Sequence, residues 1–255
     1  MAGDPIAAVL FDVGGTLVES RPAPAFVYAE VLSRRGRVVT GDEVAPVFRA
    51  VWGEMTELHP RGLDRYQQLK GGEAEWWAEF VRRVIARLGH EAPWQVTLAE
   101  LIEAFADPAL WYVFPEVPEV LATIRRCGCK AAVVSNWDSR LPGLLDRLGL
   151  GAAFDAVLVS AIEGLEKPAP AIFQRAAERL GVAPERCLHV GDSPLDDIRG
   201  AESAGMRAVL IDRHDQFHND YTRIFDLAEL TDLLARPERY RQRSHRPDHR
   251  PQGVQ

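Results

Sequence analysis

The chemistry of this chain starts at Asp12. The run Ile6–Leu17, IAAVLFDVGGTL, is apolar up to that aspartate, then breaks into Gly14, Gly15 and Thr16. A buried strand ending in a carboxylate delivers it to the carboxyl edge of a parallel sheet, where ligands bind. A carboxylate placed there is able to act as a covalent nucleophile toward phosphorus. Three later stretches also put polar groups where apolar runs end or chain turns begin. Val133 and Val134 lead into Ser135 and Asn136, a hydroxyl followed by a backbone N–H, both able to donate to a phosphate oxygen. Lys167 sits between Glu166 and two prolines, Pro168 and Pro170. A cation is needed wherever a dianionic phosphate approaches a carboxylate. Finally, Val190 and Gly191 lead into Asp192, with Asp196 and Asp197 close behind. Hard oxygen ligands of this kind suit Mg2+.

Each group also has a purely structural reading. Asp12 alone could cap a turn, and Ser135 with Asn136 could simply open a loop. Asp196 and Asp197 could complement a helix dipole, which does not account for Asp192 directly after a strand and a glycine. His189 reads as a packed residue within its strand, not as a ligand. Asp138 reads either as a group near a pocket mouth or as the N-cap of a helix starting near Leu141.

The elements that must position these groups follow from the apolar pattern. Ala7–Phe11, Ala131–Ser135, Leu188–Val190 and Ala208–Ile211 are short, apolar and bounded by Gly, Asp or Asn, as buried parallel strands are. Ala156–Val159 is a further candidate. Helical patterns separate them at Pro118–Arg126, Leu141–Leu148, Ala171–Leu180 and Asp196–Ala204, and Gly128, Gly149, Gly181 and Gly205 follow as left-handed C-caps. Strand alternating with helix predicts a three-layer, Rossmann-like α/β sheet. Residues from about 20 to 113 break the rhythm. They hold helical spacing at Pro24–Arg34, Asp42–Glu57 and Glu73–Leu88 and no convincing buried strand, so a helical insertion is expected. Its Trp76 and Trp77 are adjacent and diverge by about 100° on a helix. They read first as packing residues; the alternative puts one indole in a substrate cleft.

Together the four motifs, in this order and each at a strand end, resemble the haloacid dehalogenase-like (HAD) superfamily, whose first motif is DxDGT. The similarity runs from about Ile6 to about Leu234 and includes the C1-capped, HDHD3-like subgroup. The resemblance implies a core at 1–19 and 114–235, a helical C1 cap at 20–113, and little room for a second cap between Ser135 and Lys167. It implies a Mg2+-dependent phosphatase that acts on a small phosphorylated metabolite through an aspartyl-phosphate. Asp12 would be the nucleophile and Lys167 the neutralising cation. Ser135, Asn136, Gly15 and Thr16 would surround the phosphate. Asp12, Asp192, Asp197 and the backbone carbonyl of Gly14 would form the metal site, with Asp196 the alternative to Asp197. Ala169 departs from the family's usual Asp; the lost N-cap costs about 0.5–2 kcal/mol of local stability.

Gly14 is the departure that matters for catalysis. Family phosphatases carry a second aspartate there, which protonates the leaving oxygen and later activates water. Such help is worth roughly 10²–10⁴-fold in rate. Three readings follow. The enzyme uses leaving groups that need no proton; another acid (Asp138, His59 or Glu54) reaches in; or the protein is a catalytically impaired relative that acts by binding a ligand or partner. A dehalogenase also lacks the second aspartate but needs no metal, which the acidic residues at 192 and 197 argue against. A phosphonate hydrolase would need a Schiff-base lysine, and Lys70, in a polar LKGG stretch, is the sole lysine in the insertion.

Composition sets the outer bounds. The chain has 255 residues, 47% apolar and 26% charged, with a net charge of −7. That is ordinary for a globular protein and predicts no general attraction to nucleic acid. Cys127, Cys129 and Cys187 are too few and too unevenly placed for a disulfide framework or a zinc site. No basic leader followed by an apolar stretch opens the chain, and no apolar run nears about 18 residues, so a cytoplasmic protein without membrane association is expected; the sequence does not fix whether it is a monomer or homodimer. Residues 236–255 hold six arginines and three prolines without apolar periodicity and are expected to be disordered.

Overall fold

The computed structural model describes residues 5–57, 62–217 and 221–235. The Arg-rich stretch 236–255 and His59 lie outside the described residues. The chain opens with β1 (Ala8–Phe11) and β2 (Val18–Ser20), then passes through four helices, α1 (Pro24–Ser33), α2 (Gly41–Glu57), α3 (Gly72–Arg87) and α4 (Trp94–Ala106). It returns through β3 (Trp111–Val113), α5 (Val117–Arg126), β4 (Lys130–Ser135), α6 (Leu141–Arg147) and β5 (Ala156–Val159). The remainder is α7 (Ser160–Glu163), α8 (Pro170–Leu180), β6 (Cys187–Gly191), a π-helical turn at Pro194–Arg199, α9 (Gly200–Ser203), β7 (Arg207–Ile211), β8 (Arg223–Ile224) and α10 (Ala228–Ala235).

Six strands form one sheet in the order β5-β4-β1-β6-β7-β8, every neighbouring pair parallel. Both faces are covered, which is why these strands are continuously apolar instead of alternating. Val9, Phe11, Val133 and Val190 face one layer, built from Val117, Val120 and Ile124 of α5, Leu141 and Leu145 of α6, and Leu230. Ala8, Leu10, Val134 and Leu210 face the other, built from Ile172, Phe173 and Leu180 of α8, with Ile198 and Ala201. This is the expected Rossmann-like α/β sandwich. Phe11 is in register with Val133 on one side and Val190 on the other, so β1, β4 and β6 end at one edge of the sheet.

The four helices between β2 and β3 bury a core of their own. Trp76 and Phe80 are at its centre, their rings 5.7 Å apart and nearly parallel. The structure adds to the expected elements α7, β8 and α10 in the core and α4, β2 and β3 around the insertion. α4 is a helix that the sequence pattern left unassigned, and β2 and β3 form an antiparallel pair with Val18 opposite Val113. At three residues each, these strands are too short for an alternation to register. The helix expected at Asp196–Ala204 opens instead as a wider π turn, in which the Ile198 N–H reaches the Ser193 carbonyl at 3.2 Å. The four glycines expected as C-caps all take positive φ, and α8 starts from Ala169 without a side-chain cap.

Candidate active site

The common edge of β1, β4 and β6 brings the four motifs together. Asp12 follows β1 and is nearly buried. Its Oδ1 accepts from the Ser135 hydroxyl at 2.9 Å and from Lys167 Nζ at 2.7 Å. The same ammonium donates to Asp197 Oδ1 at 2.6 Å. Asp197 is wholly buried, and its Oδ2 accepts the Ser193 N–H at 3.0 Å. His189 Nε2 lies 2.8 Å from Asp197 Oδ1; against a carboxylate that nitrogen is the donor. The π turn makes this possible by folding Asp197 back onto the end of β6, and Gly191 leaves the space for it: a Cβ there would stand 2.1 Å from Asp197 Cγ.

Electrostatics divides the three carboxylates. Burial disfavours a charged Asp197, yet Lys167 and the His189 hydrogen bond hold it well below the usual carboxylate range. Lys167 is likewise held above the usual lysine range; burial opposes its charge, and Asp12 and Asp197 outweigh burial. Asp192 has neither contact. It sits on the open side of the cluster with solvent at its surface, yet crowding by neighbouring atoms, then the charges of Asp12 and Asp197, push it up to about 7. Oxygens of Asp12, Asp192 and Asp197 lie within 4.8 Å of one another. Three carboxylates thus cluster beside one ammonium, which bonds two of them. A donor set of hard oxygens with an excess of negative charge fits a divalent cation.

The turn after Asp12 is held tightly. Gly15 has φ +72°, and a Cβ on it would stand 2.3 Å from Asp192 Oδ2, so only glycine lets the two strand ends approach. Arg213 fastens the turn, donating to the carbonyls of Gly15 at 3.2 Å and Thr16 at 2.7 Å. Thr16 is fully buried and its hydroxyl has no hydrogen-bond partner among the described residues, so the structure does not join it to the cluster as it joins Ser135. The Asn136 side chain ties the loop after β4 to that of Lys167. Its amide exchanges two hydrogen bonds with the Lys167 backbone, at 2.7 and 2.9 Å, and so fixes the lysine's loop.

A second brace on that loop comes from the helical insertion. Arg65 Nε donates to Glu166 Oε2 at 2.9 Å, with both side chains about nine-tenths buried. Farther along, Ser139 donates to Glu73 at the start of α3 through its N–H at 2.9 Å and its hydroxyl at 3.2 Å. These contacts join residues far apart in sequence, and no local signal announces them.

Around Gly14 the space is open. A Cβ built there meets only Trp137 Cζ3, at 3.4 Å. Of the substitute acids, Asp138 is buried and its carboxylate is taken by Arg140, through the Arg140 N–H at 3.0 Å and the guanidinium. Asp138 therefore lines the cleft but does not cap α6, where Arg140 holds the N-cap position. Glu54 is exposed and paired with Arg87 at 2.6 Å. Lys70 is exposed and outside both the carboxylate cluster and the cleft. Trp76 is packed in the core of the insertion, whereas Trp77 lines the cleft.

A sequence model of the haloacid dehalogenase-like hydrolases matches residues 6–205, all four motifs included. The chain belongs to this haloacid dehalogenase-like hydrolase family. It is 32% identical over 237 residues to haloacid dehalogenase-like hydrolase domain-containing protein 3 of Danio rerio, covering 91% of this chain and 96% of that one. Against the glyceraldehyde 3-phosphate phosphatase of Methanopyrus kandleri it is 34% identical over 221 residues, 82% of this chain and 84% of the other. The fold matches the HAD hydrolase YfnB of Bacillus subtilis with a TM-score of 0.74, at 19% identity over 91% of this chain and all of that one. Among the described residues no helix is long and apolar enough to cross a membrane.

Proposed function

We propose that this HAD-family protein is a Mg2+-dependent phosphatase of a small phosphorylated metabolite, working through an aspartyl-phosphate on Asp12. One observation carries the reading: Lys167 Nζ bridges Asp12 and Asp197 at 2.7 and 2.6 Å at the sheet edge. A buried ammonium there orients one Asp12 oxygen and offsets its charge, which leaves the other oxygen to attack phosphorus. Ser135 holds the same Asp12 oxygen and faces the phosphate. Asn136 and Arg65 keep the lysine's loop in place, and His189 with the Ser193 N–H keeps Asp197 ionised beneath it. Asp12, Asp192 and the Gly14 carbonyl would hold Mg2+, with Asp197 completing the negative cluster. Bound there, the ion would neutralise charge on the phosphoryl oxygens. Relatives named as phosphatases support the reaction class. Residues 20–113 act as the cap over a core of 1–19 and 114–235, a reading supported by their separate hydrophobic core and the Arg65–Glu166 and Glu73–Ser139 contacts.

Gly14 favours a second reading, a catalytically impaired protein that retains ligand binding. Phosphate release from a panel of phosphorylated metabolites, with and without Mg2+, separates the two. Mg2+-dependent turnover that is lost in Asp12→Asn is expected. Vanadate binding without turnover of any substrate would establish the impaired reading instead.

A further inference from the structure

A cavity of about 450 Å3 lies between the helical insertion and the loop after β4. Its lining includes Asn136 and Trp137, the two residues that follow Ser135 in the chain. Trp52, Trp77 and Phe105 supply aromatic walls. Of the polar lining, Asn136 is bonded to the Lys167 backbone and Asp138 to Arg140, so hydroxyl groups of a sugar would find few free acceptors there, and each one left unpaired is costly. A flat apolar group suits such walls and such a volume. The cavity meets the catalytic site through Trp137, the residue that faces Gly14. That is the side where a leaving-group acid would stand and where it is missing. Arg49 and Arg147 also line the cavity; both are exposed and neither has an ion pair or hydrogen bond among the described residues. Such rim cations draw in an anionic ligand.

We infer that this cavity holds the leaving group of an aryl phosphate. The inference rests on the phosphatase reading above and names its substrate class. An Asp12 oxygen bonds to phosphorus as the bond from phosphorus to the aryl oxygen breaks, and the aryloxide departs with the electron pair. Water then adds its oxygen to phosphorus as the bond from phosphorus to the Asp12 oxygen breaks, which releases a proton to solvent and restores the Asp12 carboxylate. The aryloxide takes up a proton from solvent, so aryl phosphate and water become a phenol and inorganic phosphate. No acid at position 14 is needed, because a phenolate is a stable anion.

Gly53 of α2 gives the test. It lines the cavity, and a Cβ there meets nothing within 4 Å, so Gly53→Phe or the smaller Gly53→Leu fills the space from a helix that tolerates a side chain. The probes are 1-naphthyl phosphate and acetyl phosphate, two good leaving groups of which only the first has a ring to bury. Gly53→Phe is expected to lower kcat/KM for naphthyl phosphate at least about tenfold, given the apolar area a ring buries, and to leave acetyl phosphate within about twofold. Equal effects on both substrates, or none, in a folded variant would overturn the inference. If neither substrate turns over, the metabolite panel decides the phosphatase reading, and calorimetric titration of 1-naphthyl phosphate decides the cavity separately. Binding that Gly53→Phe or Gly53→Leu abolishes supports it; no binding, or binding indifferent to both variants, overturns it.

Discussion

Gly14→Asp puts the missing acid where the structure has room for it. The Gly14 backbone lies outside the left-handed region, and the nearest atom to a new Cβ is Trp137 Cζ3 at 3.4 Å, an ordinary contact. The substitution therefore adds a carboxyl beside the leaving-group cavity at little cost in strain. A well-placed general acid and base is worth roughly 10²–10⁴-fold, or about 2.7–5.4 kcal/mol of barrier. A grafted side chain lacks supporting contacts, so about tenfold, near 1.4 kcal/mol, is expected. The gain must depend on the leaving group. A phenol has a pKa of about 10 and departs readily as its anion; an alkoxide is far more basic and needs the proton. The assay compares kcat/KM for phenyl phosphate and glycerol phosphate in both proteins, since this ratio reports the steps through leaving-group departure. Wild type should favour phenyl phosphate strongly, and Gly14→Asp should narrow the preference by raising the glycerol phosphate value. A wild type that cleaves both esters equally well and gains nothing from Gly14→Asp would show that another residue delivers the proton. Asp138→Asn would then be the next variant, since Asp138 lines the same cleft.

Three further outcomes are expected. Lys167→Ala should weaken vanadate binding at least about tenfold and lower Tm, because it removes the one cation between Asp12 and Asp197; unchanged vanadate affinity in folded protein would take Lys167 out of the site. Mg2+ should raise the Tm of wild type and not that of Asp192→Asn, and an equal rise in both would disprove the Asp192 assignment. Asp64 is buried, and burial, with the nearby Glu166 charge adding to it, outweighs the Ser160 hydroxyl, the Gln67 N–H and Arg65 and pushes its carboxyl up to about 6 from 3.8. Its folded-state pKa is raised, so its stabilising contribution is full below pH 3.8 and is lost as pH rises to about 6. The neutral Asp64→Asn should accordingly gain Tm over wild type across that window, by up to about 3 kcal/mol in stability, and a Tm difference independent of pH would refute this.

The sheet and its catalytic edge were readable because each key side chain follows an apolar run directly. Asp12, Ser135 and Asp192 inherit their places from strand ends, and strand ends have strong local signals. The brace between Arg65 and Glu166 had none, because 101 positions separate the partners. Asn136 was legible as a loop residue near the phosphate side, but its grip on the Lys167 backbone depends on two loops meeting. In α4, Leu98, Leu101 and Phe105 share a helical face that packs on the insertion's core and also borders the cleft. His189 read correctly as a strand residue; its bond to Asp197 needed the π turn, which no apolar spacing encodes.

The central claim is covalent chemistry at Asp12, and trapping the intermediate tests it directly. The protein is mixed with Mg2+ and a substrate it turns over, quenched during steady state and reduced with borohydride, which converts an aspartyl-phosphate to homoserine. Peptide mass spectrometry then reads the site. Homoserine at position 12, absent without substrate and absent in Asp12→Asn, is the predicted result. Sustained phosphate release with Asp12 unmodified, or with the mark on another residue, would contradict the account.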